Sequence, residues 1–227
     1  METWMTSPLD EPLRASLSTL HRSLAMGDER VLRYPRDVAP FLAVASADVS
    51  EVAQTLIAPG EEVFTLGPAP APSASLIVRP LAAIVQMVQD TSVPEPDGAV
   101  VVPLGPEHEA RILALAAAVY PHYFRARTTR LGPYFGIFEG ETLAAMAGHR
   151  MGMPGFREIS AVCTAPGSVG RGHARRLLAV LGNAILARGE VPFLHVSPDN
   201  ARARELYARN GWRQRAALAF TSIRRTP

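Results

Sequence analysis

At 227 residues with 48% hydrophobic side chains, the chain is long enough to bury a core as one large domain or two small ones. Its one cysteine, Cys163, excludes an internal disulfide and a multi-thiolate metal site, and no apolar run approaches the roughly 18 residues of a membrane span. The net charge of +2 hides a division: residues 1–97 hold six arginines and thirteen acids, residues 98–227 seventeen arginines and eight acids. Lysine is absent, so every fixed cation is a guanidinium, whose planar fork suits phosphate. This asymmetry points the second half toward a polyanion, either a nucleotide cofactor or a nucleic acid. The opening METWMTSPLDEPLR lacks the charged-then-apolar layout of a secretion signal, and a cytoplasmic location is expected.

In chain order, residues 10–25 read as an amphipathic helix with Pro12 near its start. Segments 41–45, 61–66 and 75–80 read as strands, and 46–57 as a helix opened by Ser46 or Asp48. They form a small α/β unit without a catalytic constellation. Proline-rich stretches at 67–75 and 91–98 punctuate the sequence, and the second coincides with the change of charge. The boundary is therefore set there, giving an N-terminal α/β domain over 1–96 and a second domain over 97–227. That second part reads as a strand at 99–104, a helix at 106–120, and strands at 134–140 and 141–151 joined through Glu139-Gly140-Glu141. A strand at 156–164 precedes a long helix at 171–189, with Leu177, Leu178, Leu181 and Ile185 on one face and Gly189 closing it. A strand follows at 191–196. Ser197 caps a helix that has Pro198 in its first turn and runs to Gly211, and residues 211–223 finish as one or two strands. This order predicts a mixed α/β sheet with a βαβ unit over 157–196.

Within that unit, Ser168-Val-Gly-Arg-Gly-His-Ala174 carries glycines from a strand to a helix N-terminus. Free backbone N–H groups and the helix dipole suit such a place to a phosphate or pyrophosphate, and Arg171, Arg175 and Arg176 add charge. A Walker-type loop is excluded because it needs a lysine, and a dinucleotide fingerprint lacks its third glycine. The loop alone fits tight strand-to-helix packing equally well.

The downstream segment Asn200-Ala-Arg-Ala-Arg-Glu-Leu-Tyr207-Ala-Arg-Asn-Gly211-Trp212 decides between these. It resembles the N-x-x-A-x-x-x-Y-x-x-x-G-F/W segment of the GNAT (general N-acetyltransferase) superfamily. Val169-Gly170-Arg171-Gly172-His173-Ala174 resembles that family's Q/R-x-x-G-x-G/A pyrophosphate loop, with Val169 departing at the first position. LGPYFGIFEG and REISAVCT further resemble the glycine N-acyltransferase-like branch. The resemblance spans about 99–223. It implies a GNAT fold with splayed central strands and a smaller N-terminal α/β domain that shapes the acceptor pocket or is a degenerate GNAT-like copy. Acetyl-CoA, or another acyl-CoA, would be co-substrate, with no metal. Val162, Cys163 and Thr164 would pair their backbone with the pantetheine arm. Val169, Gly170, Arg171, Gly172, His173 and Ala174 would hold the pyrophosphate, Arg171, Arg175 or Arg204 the outer phosphates, and Asn200 the pantetheine.

Acyl transfer to an amine needs a proton acceptor, a polarised thioester carbonyl and a proton for the departing thiolate. Tyr207 matches the family's proton donor; a core tyrosine is the alternative. Glu158 is the candidate base, since strand alternation groups it with Ser160, Val162 and Thr164 and partial burial would raise its pKa. A surface Glu paired with Arg157 is the competing reading. Cys163 reads as a small buried residue rather than a nucleophile. His149, His173 and His195 have no metal-ligand spacing, and His195 reads as a satisfied strand histidine. The expected function is N-acyl transfer to a primary amine of a small molecule or peptide by a monomer or homodimer. An acyl-CoA sensor without turnover is the alternative. Nucleic-acid binding lacks stacking aromatics or a helix-turn-helix. Residues 120–133 are the expected acceptor loop.

Overall fold

The computed structural model describes residues 7–119 and 121–227. Tyr120, at the end of the expected helix 106–120 and the start of the expected acceptor loop, lies outside these residues, as do the first six residues of the opening segment read for a secretion signal. The chain begins with α1 (Pro12–Ser18), where Leu13 and Leu17 lie one turn apart on the buried side. A meander of β1 (Met26–Gly27), β2 (Val31–Arg33) and β3 (Leu42–Val44) follows. Next comes α2 (Ser50–Leu56), which starts after Val49 without a side-chain cap; Ser46 is hydrogen-bonded to Asp48 instead of opening the helix. Three strands close this half: β4 (Glu62–Leu66), β5 (Leu76–Pro80) and β6 (Ile84–Val88).

The second half continues through β7 (Val102–Leu104), α3 (Glu109–Val119), β8 (Tyr134–Glu139), β9 (Thr142–Met153) and β10 (Phe156–Thr164). It ends with α4 (His173–Leu186), β11 (Val191–Val196), α5 (Ala201–Arg209), β12 (Arg213–Leu218) and β13 (Phe220–Arg225). The α5 helix is capped by Asn200, whose side chain accepts from the Ala203 N–H at 3.1 Å, so the cap is three residues later than Ser197.

The large sheet has the order β12-β6-β11-β10-β9-β8-β7, and β10 with β11 is its one parallel pair. A mixed α/β fold is therefore what the sequence forms, with β10–α4–β11 as its crossover unit. α4 presses Leu177, Leu181 and Ile185 onto the sheet at helical spacing, and Gly189 follows with φ +74°. The β8–β9 hairpin turns at Gly140, φ +59°, with Glu139 opposite Thr142. The opposite face of the sheet is covered by α1 and the β1–β3 region.

Two strands tie the halves together. β6, from before residue 97, lies between β11 and β12, and β13 lies between β4 and β5 in a separate three-stranded sheet. β6 escaped the sequence reading because Val85 through Gln89 are all buried. A strand covered on both faces shows no alternation.

β10 and β11 pair only at Phe156↔Val191, Arg157↔Pro192 and Glu158↔Phe193. Beyond that rung β10 stays with β9 and β11 runs on with β6, so the centre of the sheet opens into a V. β10 is also bulged: its register with β9 jumps between Ser160 and Cys163, and Ala161 has φ +51°. The bulge breaks the expected alternation, and Ile159 through Cys163 all contribute to the wall of one cavity.

Opposite Tyr134, β9 carries Gly148, where an added Cβ would lie 2.5–2.6 Å from the tyrosine ring. Gly148→Ala is expected to lower unfolding free energy by about 1–3 kcal/mol through overpacking, measured by urea denaturation. Unchanged stability would show that the ring yields freely.

Candidate active site

Glu158 stands at the vertex of the V, fully buried. Arg150 on β9 grips its carboxylate with two nitrogens, Nε to Oε2 at 2.8 Å and Nη2 to Oε1 at 2.6 Å. The Met151 N–H donates to Oε2 at 3.1 Å, and His195 Nδ1 lies 2.8 Å from Oε1. On the far side of the imidazole, Gln86 Nε2 lies 3.1 Å from His195 Nε2. Arg215 donates to Gln86 Oε1, which turns the amide nitrogen toward the ring. The ring nitrogen facing an amide N–H must accept, which puts the imidazole proton on Nδ1, toward Glu158.

Burial alone would raise the Glu158 pKa. The charge and hydrogen bonds of Arg150, with the His195 hydrogen bond, overcome it and hold the carboxyl at about 2. The direction is opposite to that expected of a base. The carboxylate also lies behind the cavity wall rather than on it.

The V opens into a cavity of about 430 Å³. On the α4 and α5 side it is walled by Leu194, Val196, Asn200 and Tyr207, the last only 8% exposed. Ile159, Ser160, Ala161, Val162 and Cys163 form its β10 edge, and Thr164 does not line it. Ala161 and Val162 have no opposite residue in β9, and β10 has no partner in β11 past Glu158. Burial pushes the Cys163 thiol up to about 12, which keeps it protonated and a poor nucleophile.

The glycine loop precedes α4. Gly170 and Gly172 have φ +88° and +80°, Gly172 is the N-cap, and the helix starts without a side-chain cap. That leaves its first N–H groups to solvent or an anion. Val169 is 45% exposed and Arg171 reaches Glu139 Oε1 at 2.9 Å. The same carboxylate takes Ser168 Oγ at 2.8 Å and His173 Nε2 at 2.8 Å. Those hydrogen bonds, led by His173 and then Ser168, hold the Glu139 carboxyl below its usual range. Arg175 donates to Asn210 at 3.0 Å, Arg176 binds the Ala99 carbonyl at 2.6 Å, and Arg204 bonds the Pro198 carbonyl. Of the arginines named near the loop, Arg171 alone reaches across it.

Of the expected site residues, Val162, Cys163, Asn200 and Tyr207 meet in the cavity, while Val169 to Arg175 form the loop and helix start. Arg150 and Glu139 were missed, because their partners lie 8 and 29–34 residues away. No local spacing records such contacts. Among the described residues no group of three His, Cys, Asp or Glu side chains is placed to hold a metal. No helix among them is long and apolar enough to cross a membrane.

The FR47-like protein family matches residues 134–221, the stretch from β8 into β13. A solved structure of a candidate acetyltransferase from the GNAT family of Novosphingobium aromaticivorans is 34% identical. The match covers 97% of this chain and 100% of that one, with a TM-score of 0.87. The chain belongs to the GNAT family. A GCN5-related N-acetyltransferase from Kribbella flavida shares the fold at 17% identity and TM-score 0.60, covering 94% and 93% of the two chains. A GCN5-related N-acetyltransferase-like protein from Streptococcus suis does so at 15% and 0.53, also covering 94% and 93%. No curated protein sequence matches the chain.

The Glu158 site has a pH signature. A carboxyl held at about 2 against an ordinary 4.5 contributes stability above pH 4.5 that is lost as pH falls toward 2. Glu158→Gln is expected to be less stable than the wild type at pH 7, with the gap narrowing on acidification through that window. A gap independent of pH, followed by denaturant unfolding at several pH values, would contradict the ion-pair network.

Proposed function

We propose that this protein transfers the acetyl group of acetyl-CoA, or another short acyl group, to a primary amine of a small molecule or peptide. The observation that carries the reading is the V between β10 and β11. It opens two strand edges and a cavity beside Tyr207, within one crossover of a glycine loop at an uncapped helix start. The exposed edge of β10 suits an extended amide-bearing arm such as pantetheine, added like a strand. The N–H groups of residues 170–175, with Arg171, suit the pyrophosphate. Asn200 spends its carbonyl oxygen on the α5 cap, which leaves its amide nitrogen for the arm.

Acetyl-CoA supplies a thioester carbonyl, at which a C–N bond to the acceptor forms as the C–S bond breaks. Backbone N–H groups of the β10 bulge stabilise the charge on the carbonyl oxygen. Tyr207 gives its hydroxyl proton to the departing sulfur and regains one from solvent. The amine proton leaves through water in the cavity. Glu158 acts as a positioning residue that fixes Arg150 and His195 at the vertex, since a carboxyl held at about 2 is a weak proton acceptor. The N-terminal unit, residues 1–96, shapes the acceptor side, with Phe41, Leu66, Leu81 and Ile84 in the cavity wall. The likeness of residues 131–140 and 157–164 to glycine N-acyltransferase-like proteins belongs to this reading.

A second reading, acyl-CoA binding without turnover, draws on the same Glu158 geometry, because with Glu158 behind the wall no carboxylate lines the cavity among the described residues.

Two measurements separate them. Calorimetric titration with acetyl-CoA is expected to give micromolar binding that Gly172→Glu abolishes, because the new side chain is strained at φ +80° and brings negative charge to the loop. Tyr207→Phe is expected to lower kcat about tenfold to a thousandfold with acetyl-CoA affinity little changed. An unaltered kcat removes the proton-donor role, and binding with no amine turned over favours the sensor.

A further inference from the structure

Beyond the vertex, the cavity becomes a chamber of another character. Three aromatic rings from distant parts of the chain face it: Phe41 just before β3, Tyr123 after α3, and Phe220 at the start of β13. Phe41 and Tyr123 stack at 5.8 Å, and Tyr123 meets Phe220 edge-on at 6.1 Å. Leu66, Leu81 and Ile84 complete the apolar wall. No carboxylate lines the chamber among the described residues, and its one strongly basic side chain is Arg150, whose guanidinium lies over the Phe41 ring at 5.1 Å.

Resting on the acyltransfer reading above, we propose that the acceptor is a monoamine whose amino group sits on an apolar, ring-sized body, of the arylalkylamine class. The argument is one of charge and shape. A polyamine or an aminoglycoside brings ammonium groups besides the reacting one. Each would need a carboxylate, and this chamber offers none. An amino acid brings a carboxylate, but the Arg150 charge is already met by the buried Glu158. A long acyl tail would fill apolar space, yet Arg150, Ser160 and the Tyr123 side chain place polar atoms in the wall that suit an acceptor with one polar end. An aromatic body instead finds three rings, Phe41, Tyr123 and Phe220, in the wall around it.

The experiment is a thiol-release assay on the full chain with acetyl-CoA and 2-phenylethylamine, spermidine or glycine, and with octanoyl-CoA and ethanolamine. Acetyl-CoA binding is measured in parallel by calorimetry. The expected result is a kcat/KM for 2-phenylethylamine at least tenfold above those for spermidine and glycine. A second variant tests the chamber directly. Leu81 lines its rim and is 43% exposed, so Leu81→Glu is tolerated by the fold. It is expected to raise KM for 2-phenylethylamine about tenfold, shift preference toward spermidine and leave acetyl-CoA affinity unchanged. Spermidine or glycine equal to or better than 2-phenylethylamine overturns the proposal, as does octanoyl-CoA outpacing acetyl-CoA. Acetyl-CoA bound with no amine turned over also overturns it, leaving the binding-only reading. Absence of acetyl-CoA binding instead brings down the acyltransfer reading, and this inference with it.

Discussion

The buried ion pair between Glu158 and Arg150 is the interaction on which the site depends. It sits on the last rung shared by β10 and β11, where two strands must be held together on one side and apart on the other. One carboxylate reaches β9 through Arg150 and the Met151 N–H, and β11 through His195. The chain of contacts continues to Gln86 on β6, to Arg215 on β12 and to Asp10 ahead of α1. A charge pair in a dry interior repays little of its desolvation. It does impose geometry, because each partner left alone is costly. Here that geometry is the point at which the sheet ceases to be continuous.

Much of this was legible locally, and the rest was not for definite reasons. α4 declared itself by Leu177, Leu181 and Ile185 with Gly189 after them, and the β8–β9 hairpin by Gly140. The glycine loop and the Asn200 to Trp212 segment carried the family resemblance. The expected alternation of β10 fails at its bulge, and the environment of Glu158 was not legible either. A carboxyl's pKa is set by what touches it, and Arg150 and His195 stand 8 and 37 residues away. The bulge at Ala161 has no signature in residue type, since an alanine with φ +51° is held by its neighbours rather than preferred by its side chain. β6 was hidden by burial on both faces, where even Gln86 and Gln89 are fully buried.

The two faces of the sheet divide the labour. On the α4 and α5 side lie the glycine loop, the uncapped helix start, Asn200 and Tyr207. On the other lie three aromatic rings and an arginine whose charge is spent internally. The V connects them through the sheet. The two sides of one opening thus differ in chemistry, exposed N–H groups and glycines on one and apolar rings on the other.

The interleaving of strands also bears on how the chain comes off the ribosome. β4 and β5 are not neighbours; β13 lies between them, and its last residue is Arg225. β6 likewise waits for β11 and β12, which are made more than a hundred residues later. The first half therefore emerges with strand edges it cannot satisfy until β11, β12 and β13 have been made. Pairings of such long sequence separation form slowly and expose apolar strands meanwhile. Assembly of the two sheets is thus gated by β11, β12 and β13, and the strands of the first half keep open apolar edges until those three are made.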